Sequence, residues 1–248
     1  MLILARVLGL FVSAPVLQSK TFPMLAKVSM MIWITVLFWF VVPAPRHLPG
    51  VAFEFVLAIF VEFLLGVMIG FASNLVLSAV EFGGTLIDAQ MGLSTGQTLD
   101  PMSGTQVTIV ARLLRWCAVI MFLSVNGHHM LLSAIFQSFK LLPLAHPINF
   151  VGAADDLVQL GVSIFAVGTQ IAMPIILVIF FLDFALGMVS RVAPQVNVFQ
   201  LGMEIKPSLG AVVFILMIPF TLNFIGPILS RVLDNVIVIM IHMKPVPL

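Results

Sequence analysis

The sequence predicts an all-α, polytopic, membrane-associated protein built from long, kinked helical hairpins. Of its 248 residues, 61% are hydrophobic and only 8% are charged, and the apolar residues occur in long continuous runs. An ordinary soluble domain carries about 25% charged residues. Because so few charges cannot form a solvated surface, lipid or other protein subunits must cover much of this chain.

The continuous apolar runs favour helices over a membrane barrel, whose strands alternate apolar and polar residues. A spanning helix needs about 20 apolar residues, so Met24–Val42 fits one span. A helix over Val51–Val80 would be about 45 Å long, and we expect it to tilt, protrude or break at Gly66 or Gly70. The apolar runs are Leu2–Leu17, Met24–Val42, Val51–Val80, Ile109–Val125, Leu157–Leu182 and Leu209–Met240.

The first apolar run, the last one and a shorter run in the middle each predict a different kind of helix. The first run has no basic segment before it and no good cleavage site, so we expect a retained helix rather than a signal peptide. The last run contains Pro219, Gly226 and Pro227, which predict a kink or a split into a hairpin. The shorter run Met130–Leu144 predicts a re-entrant or packing helix that ends near Pro143.

Charged residues lie inside or at the edges of the apolar runs. A charge at the centre of a bilayer costs about 3 kcal/mol, so we expect these side chains to face protein or water, or to reach the interface. Arg231 and Asp234 are three positions apart and are predicted to pair on one helix face. The group comprises Arg6, Glu54, Glu62, Arg112, Arg115, Asp183, Arg231 and Asp234.

The longest polar interruption is Glu81–Val107, which contains five glycines and is predicted to be a long, functional loop. Asp100 precedes Pro101, a pattern typical of a helix start, so Asp100 is predicted to cap the following helix. An ordinary capping loop is the alternative interpretation.

Arg112 and Arg115 follow that segment and share a helix face with like charge. Their mutual repulsion predicts an acidic partner, for which Asp88 and Asp100 are the candidates.

Several classes of function are disfavoured. The net charge of +1 gives no basic field for nucleic acid. No Walker motif is present, and no cofactor is expected. The single cysteine, Cys117, cannot form an internal disulfide and has no partner for a cysteine-based metal site. A secondary transporter would share the charged, broken helices, but no internal repeat is visible.

An enzyme is a further alternative, because Gly92–Gly96 fits the pattern G-x-S-x-G around Ser94, with His128 or His129 as a base. The strand-to-helix context that this motif needs is not predicted here, so we expect no enzymatic activity. A metal site at the two histidines is disfavoured because neighbouring residues on a helix point about 100° apart.

Gly66 and Gly70 form the pattern G-x-x-x-G. Such spacing indicates either a close helix–helix contact or incidental packing of small residues, and the sequence leaves both open.

Three groups of motif residues lie along the whole chain. The first comprises Arg6, Gly9, Pro15 and Pro23, and the second comprises Gly84, Asp88, Gln90, Gly92, Asp100-Pro101 and Arg112. The third is the stretch Arg191–Phe199, which includes Pro194, Gln195 and Asn197, followed by Lys206 and Gly210. Together they resemble the amino-terminal pattern, the central signature and the carboxy-terminal pattern of the FliR/SctT export-gate family. The flagellar branch is favoured by Gln90-Met91-Gly92, Asn126–His129, Ser138-Phe139 and Leu142-Pro143.

This resemblance implies a pore-forming, gating subunit of the flagellar protein export apparatus in the bacterial inner membrane, lying partly above the bilayer. Its implied partners are FliP and FliQ, together with FlhB and FlhA, and its implied substrates are unfolded flagellar proteins. Residues 1–170 would be a FliP-like part that includes the segment 81–107, and residues 171–248 would be a FliQ-like hairpin. The equivalent subunit of a virulence injectisome is the alternative.

The resemblance also implies a plug for the closed pore within Thr98–Val107. Flexible Met91 and Met102 and small neighbouring residues suit a deformable seal. The implied plug residues are Thr98, Leu99, Asp100, Pro101, Met102, Ser103, Gly104 and Thr105.

Overall fold

The computed structural model describes residues 1–15, 17, 23–43, 51–93, 109–145 and 150–243. Within these ranges the regular secondary structure is entirely helical, which confirms the predicted all-α class. The helices are α1 (Leu2–Ser13), α2 (Met24–Val41), α3 (Ala52–Gln90), α4 (Ile109–Ser124), α5 (Gly127–Leu141), α6 (Phe150–Val192), α7 (Val198–Ser230) and α8 (Val232–His242).

Four of the described helices, α2, α3, α6 and α7, are long and apolar enough to cross a membrane. Helices α4 and α5 meet at an angle of 66° and would count as a fifth, broken span. The chain is therefore a multi-pass helical membrane protein, as its apolar runs predict.

Helix α3 does not break at Gly66 or Gly70, which leaves tilting or protruding as the remaining alternatives for this long helix. It corrects one expectation, because it continues to Gln90 instead of ending where the predicted loop begins at Glu81. Glycine and small polar residues made the segment 81–90 resemble a loop. In the structure Gly83 and Gly84 lie inside a helix and permit close contacts with other helices, so the packing overrides their low helix propensity.

The last apolar run is also divided differently from the expectation. Helix α7 runs through Pro207, Pro219 and Pro227 without a break, and α8 begins after Arg231. Prolines are tolerated in long membrane helices because neighbouring groups satisfy the freed carbonyls. In the described part of the chain, no ion pair joins Arg231 to Asp234, so that predicted pairing is wrong.

The chain divides into two compact units. The first comprises Met1–Leu77, Phe122–Gly161 and Ile228–Leu248, and the second comprises Ser78–Met121 and Val162–Pro227.

In the first unit, α1 lies directly against α3 at the glycine pair. A Cβ added to Gly66 would lie 1.9 Å from the carbonyl oxygen of Arg6, and one on Gly70 would lie 2.8 Å from the backbone nitrogen of Ala14. Likewise, a Cβ added to Gly9 of α1 would lie 2.2 Å from the carbonyl oxygen of Phe63. The G-x-x-x-G pattern therefore serves a close contact between two helices of this chain.

In the second unit, glycines bring α3 close to α4 and α6. A Cβ on Gly84 would lie 2.3 Å from the Cα of Ala111, and one on Gly83 would lie 2.8 Å from the carbonyl oxygen of Gly168. Helices α6 and α7 form a hairpin joined by a short turn over residues 193–197. These contacts position the polar residues described below.

We predict that Gly66→Ala destabilises the protein by about 1–3 kcal/mol, because the added methyl group overlaps the α1 backbone. Gly161→Ala on α6 is the matched control, since no atom lies within 4 Å of the added carbon and alanine favours a helix. Thermal unfolding of the protein in mild detergent should show a lower Tm for Gly66→Ala alone. Equal Tm values for wild type and Gly66→Ala would contradict the close contact.

Candidate functional site

The motif residues that resemble the family are called signature residues below. The first cluster surrounds one of them, Arg6, which is fully buried in α1. Its Nε donates to Oε2 of Glu62 on α3 at 2.6 Å. Its remaining nitrogens donate to Oγ of Ser138 at 3.0 Å and to the carbonyl oxygen of Leu142 at 3.1 Å. The guanidinium also lies 4.4 Å from the centre of the Phe139 ring.

This arrangement satisfies a charge that would otherwise be very costly to bury. Glu62 is 2% exposed, and its second oxygen accepts the backbone N–H of Ala145 at 3.1 Å. One ion pair thereby ties α1, α3 and the end of α5 together. Pro15, another signature residue, is buried directly after α1.

The second cluster lies where α3 ends and α4 begins. Asp88 is 0% exposed, and its carboxylate accepts the backbone N–H groups of Val110 at 3.2 Å and Ala111 at 3.0 Å. The first N–H groups of a helix have no partner within the helix and carry partial positive charge. A carboxylate there both accepts their hydrogen bonds and is attracted by that charge. Asp88 therefore caps the start of α4 at Ile109.

Gly92 explains how α3 stops beside this junction. Its φ of 74° is left-handed, a conformation that glycine adopts without strain. The N–H of Gly92 donates to the carbonyl of Ala89 at 3.2 Å, and that of Leu93 donates to the carbonyl of Asp88 at 3.1 Å. This is the Schellman pattern of helix ends. Gln90 is the exposed last residue of the helix.

The two arginines of α4 behave differently. Arg115 pairs with Glu81 of α3, whereas Asp88 binds the backbone of α4. The other predicted partner, Asp100, lies outside the described residues. Arg112 is exposed, and it forms no ion pair or hydrogen bond with the residues that the structure describes.

The third cluster follows the α6–α7 hairpin. Nζ of Lys206 on α7 lies 2.7 Å from Oδ1 of Asp183 on α6, and their side chains are 28% and 44% exposed. At the tip, Oδ1 of Asn197 accepts the N–H of Gln200 at 3.3 Å and caps α7. The other signature residues here are exposed: Arg191 in the last turn of α6, and Pro194 and Gln195 in the connecting turn.

A groove of about 440 Å³ adjoins this ion pair. Gly92, Phe199 and Met203 line it together with Asp183 and Lys206. The end of α3 is fixed to the same hairpin, because Gly210 of α7 leaves room for Met91. A Cβ on Gly210 would lie 2.5 Å from Met91 Cγ. The groove offers an apolar surface beside a salt bridge, and the described residues that line it include no nucleophile paired with a base.

Some predicted residues fall outside the described ranges. These are the implied plug, the Asp100-Pro101 cap and Ser94, which all lie within residues 94–108. His128 and His129 are exposed, and the described residues contain no cluster of three metal-binding side chains.

The sequence shows Glu62 and Asp183 as charges in apolar runs but does not identify their partners. Nothing in the sequence pattern indicates that Glu81 or Ser138 is a partner. The pairs Arg6–Glu62 and Arg6–Ser138 join residues 56 and 132 positions apart. A charge within an apolar run signals that a partner is needed, but only the fold determines which residue supplies it.

Residues 1–232 match the family model described as bacterial export proteins, family 1. The chain belongs to this family. The FliR/SctT resemblance of the motifs is thereby confirmed. Of the signature residues in the described part, buried Arg6 and Asp88 are held by several hydrogen bonds, and Lys206 lies in an ion pair.

Curated relatives cover nearly the full chain. The flagellar biosynthetic protein FliR of Escherichia coli strain K12 is 30% identical over 93% of this chain and 88% of the relative. FliR of Bacillus subtilis strain 168 is 29% identical over 88% of this chain and 84% of its own. The Yop proteins translocation protein T of Yersinia pestis is 30% identical over 87% of this chain and 84% of its own.

We predict that Arg6→Leu destabilises the protein by about 3–5 kcal/mol, because it leaves Glu62 buried without a counter-charge. The double variant Arg6→Leu/Glu62→Leu should recover much of this loss. Lys140→Leu, which removes an exposed cation above the Phe136 ring, should cost about 1 kcal/mol or less. Chemical unfolding in detergent measures these variants together with the single variant Glu62→Leu. A double variant as unstable as the sum of its single variants would show that the pair is not coupled.

Proposed function

We propose that this chain is a structural, pore-forming and gating subunit of the flagellar type III protein export apparatus. It assembles with FliP and FliQ, contacts FlhB and FlhA, and passes unfolded flagellar proteins across the inner membrane. It performs no catalysis and needs no cofactor. Family membership supports a role in bacterial protein export, and the names of the FliR relatives support the flagellar apparatus.

The observation that carries the assembly proposal is the half-exposed ion pair Lys206–Asp183. Its side chains lie on α6 and α7, which are two of the candidate spans. An ion pair exposed to hydrocarbon is costly. Neighbouring subunits or a water-filled conduit would remove this cost, and both are features of an assembled channel.

The apolar surface supports the same conclusion. Helix α2 buries no residue within the chain, and large side chains on every long helix remain exposed. The bilayer covers part of such a surface. Gly187 also leaves room on the α6–α7 hairpin, because a Cβ added to it would meet no atom within 4 Å. A helix of another subunit could approach closely at that point.

The gating proposal concerns Thr98–Val107, which lies outside the described residues and is supported by the resemblance alone. A closed gate has to stop ions and yet open for a polypeptide chain. A short segment with flexible Met102 and small neighbours suits that task chemically.

The equivalent subunit of an injectisome is the second candidate, favoured by the 30% identity to the Yersinia pestis translocation protein. Overall identity does not separate the two, since FliR of Escherichia coli is also 30% identical. The motif Gln90-Met91-Gly92 favours the flagellar apparatus. Loss of motility on deletion of the gene supports the flagellar role, and loss of effector secretion with normal motility supports the injectisome.

We predict that the tagged chain, extracted from its native membrane in mild detergent, retains FliP and FliQ in a fixed ratio. Mass spectrometry of the eluate identifies the companions. An unrelated multi-pass protein with the same tag serves as the control for non-specific capture. Recovery of the folded chain without any export component would contradict the proposed function.

We predict that deletion of Thr98–Val107 raises the ion conductance of the assembled complex while the companions still co-purify. Conductance across lipid bilayers containing the purified complex measures the leak, with Gly161→Ala as a control outside the segment. Unchanged conductance in a correctly assembled deletion complex would remove the plug from the proposal.

A further inference from the structure

One face of α4 is apolar, exposed and marked by a single cation. Ile109, Trp116 and Ile120 are 68%, 61% and 63% exposed, and Leu113 is 41% exposed. Arg112 lies among them, and these residues line a shallow groove of about 370 Å³. Their spacing of three and four positions places them on one side of the helix.

Arg112 is placed unfavourably for the isolated chain. It lies in the first turn of α4, where the partial positive charge of the helix terminus opposes a cation. Asp88, the carboxylate nearest to that terminus, is buried and engaged with the backbone. Glu81 is engaged with Arg115. No described side chain of this chain therefore neutralises Arg112.

An acyl-chain environment does not suit this face. Helix α4 carries two cations in its first two turns, Arg112 and Arg115. Arg115 pairs with Glu81 of α3, and their side chains are 31% and 39% exposed. A helix with two cations so close together needs a neighbour that offers polar as well as apolar contacts.

From this charge and composition we infer that the α4 face (Ile109, Arg112, Leu113, Trp116 and Ile120) docks an apolar helix of another subunit that carries one carboxylate opposite Arg112. Tryptophan and arginine are the residues that contribute most to protein interfaces, especially when apolar neighbours exclude water. The carboxylate would supply the counter-charge that the described residues of this chain do not provide. This inference rests on the proposed function, because it requires a neighbouring subunit.

Photo-crosslinking in the native membrane tests the occupant. With Trp116 replaced by p-benzoylphenylalanine, irradiation should link α4 to an apolar peptide of another subunit that contains Asp or Glu. Mass spectrometry identifies the linked peptide. Adducts with lipid alone would overturn the inference in favour of a lipid-facing helix.

Charge variants test the role of Arg112. In the photo-crosslinking protein, Arg112→Glu should lower the crosslink yield about tenfold or more, since it places two carboxylates together. Arg112→Lys should keep most of the yield. Replacing the partner's carboxylate by arginine should restore the crosslink in the Arg112→Glu protein. A yield that Arg112→Glu leaves unchanged would overturn the inference.

Arg231→Glu is the matched control, since Arg231 is also exposed and lies at a helix start. It should leave the crosslink yield unchanged, and both charge variants should accumulate at the wild-type level in the membrane. If companions still co-purify but the crosslink does not depend on Arg112, the docking face is wrong and the proposed function stands. If the wild-type chain has no companions, both are wrong.

Discussion

Each charged side chain on these apolar helices has to meet a partner, because lipid cannot solvate it. Arg6 is the extreme case: it is fully buried, and Glu62, Ser138 and a backbone carbonyl satisfy it together. This interaction fixes where α1 lies on α3, and Gly66 makes the approach possible by leaving room for the Arg6 carbonyl. The position of α1 thus depends on a glycine and an ion pair that support each other.

The same constraint organises the second unit in a different form. Asp88 is neutralised by the start of α4 instead of by a cation. It can reach that helix because Gly84 lets α4 approach α3 and because Gly92 ends α3 one turn later. Arg6 is fully enclosed by this chain, whereas Arg115 and Lys206 are only partly enclosed, and Arg112 has no partner among the described residues. We propose that this difference links the fold to assembly, with neighbouring subunits completing the charges that this chain encloses least.

The sequence predicts the helices well where apolar runs are continuous, as in α2 and α4. It fails at Glu81–Gln90, because glycine and small polar residues are typical of loops and equally of close helix contacts. Only the presence of α4 and α6 beside Gly83 and Gly84 decides between the two. The prolines of α7 mislead for the same reason, since their cost depends on neighbouring groups.

Among the site residues, the motifs identified Arg6, Asp88 and Lys206 but not what they bind. Asp88 was considered as a partner for the arginines of α4, whereas it binds the backbone of that helix. Glu62 lies 56 positions from Arg6, and no local pattern connects two residues so far apart. Local signals such as a left-handed glycine are accessible from sequence, while long-range charge pairing requires the fold.

The central claim is that neighbouring subunits complete the polar groups which this chain leaves half-exposed. The most direct measurement compares the thermal unfolding and the particle mass of the chain produced alone with those of the chain produced together with FliP and FliQ. The claim predicts that the chain alone aggregates or unfolds at a markedly lower temperature and that co-production yields one stable assembly. A folded monomer with the same Tm in both preparations would contradict it.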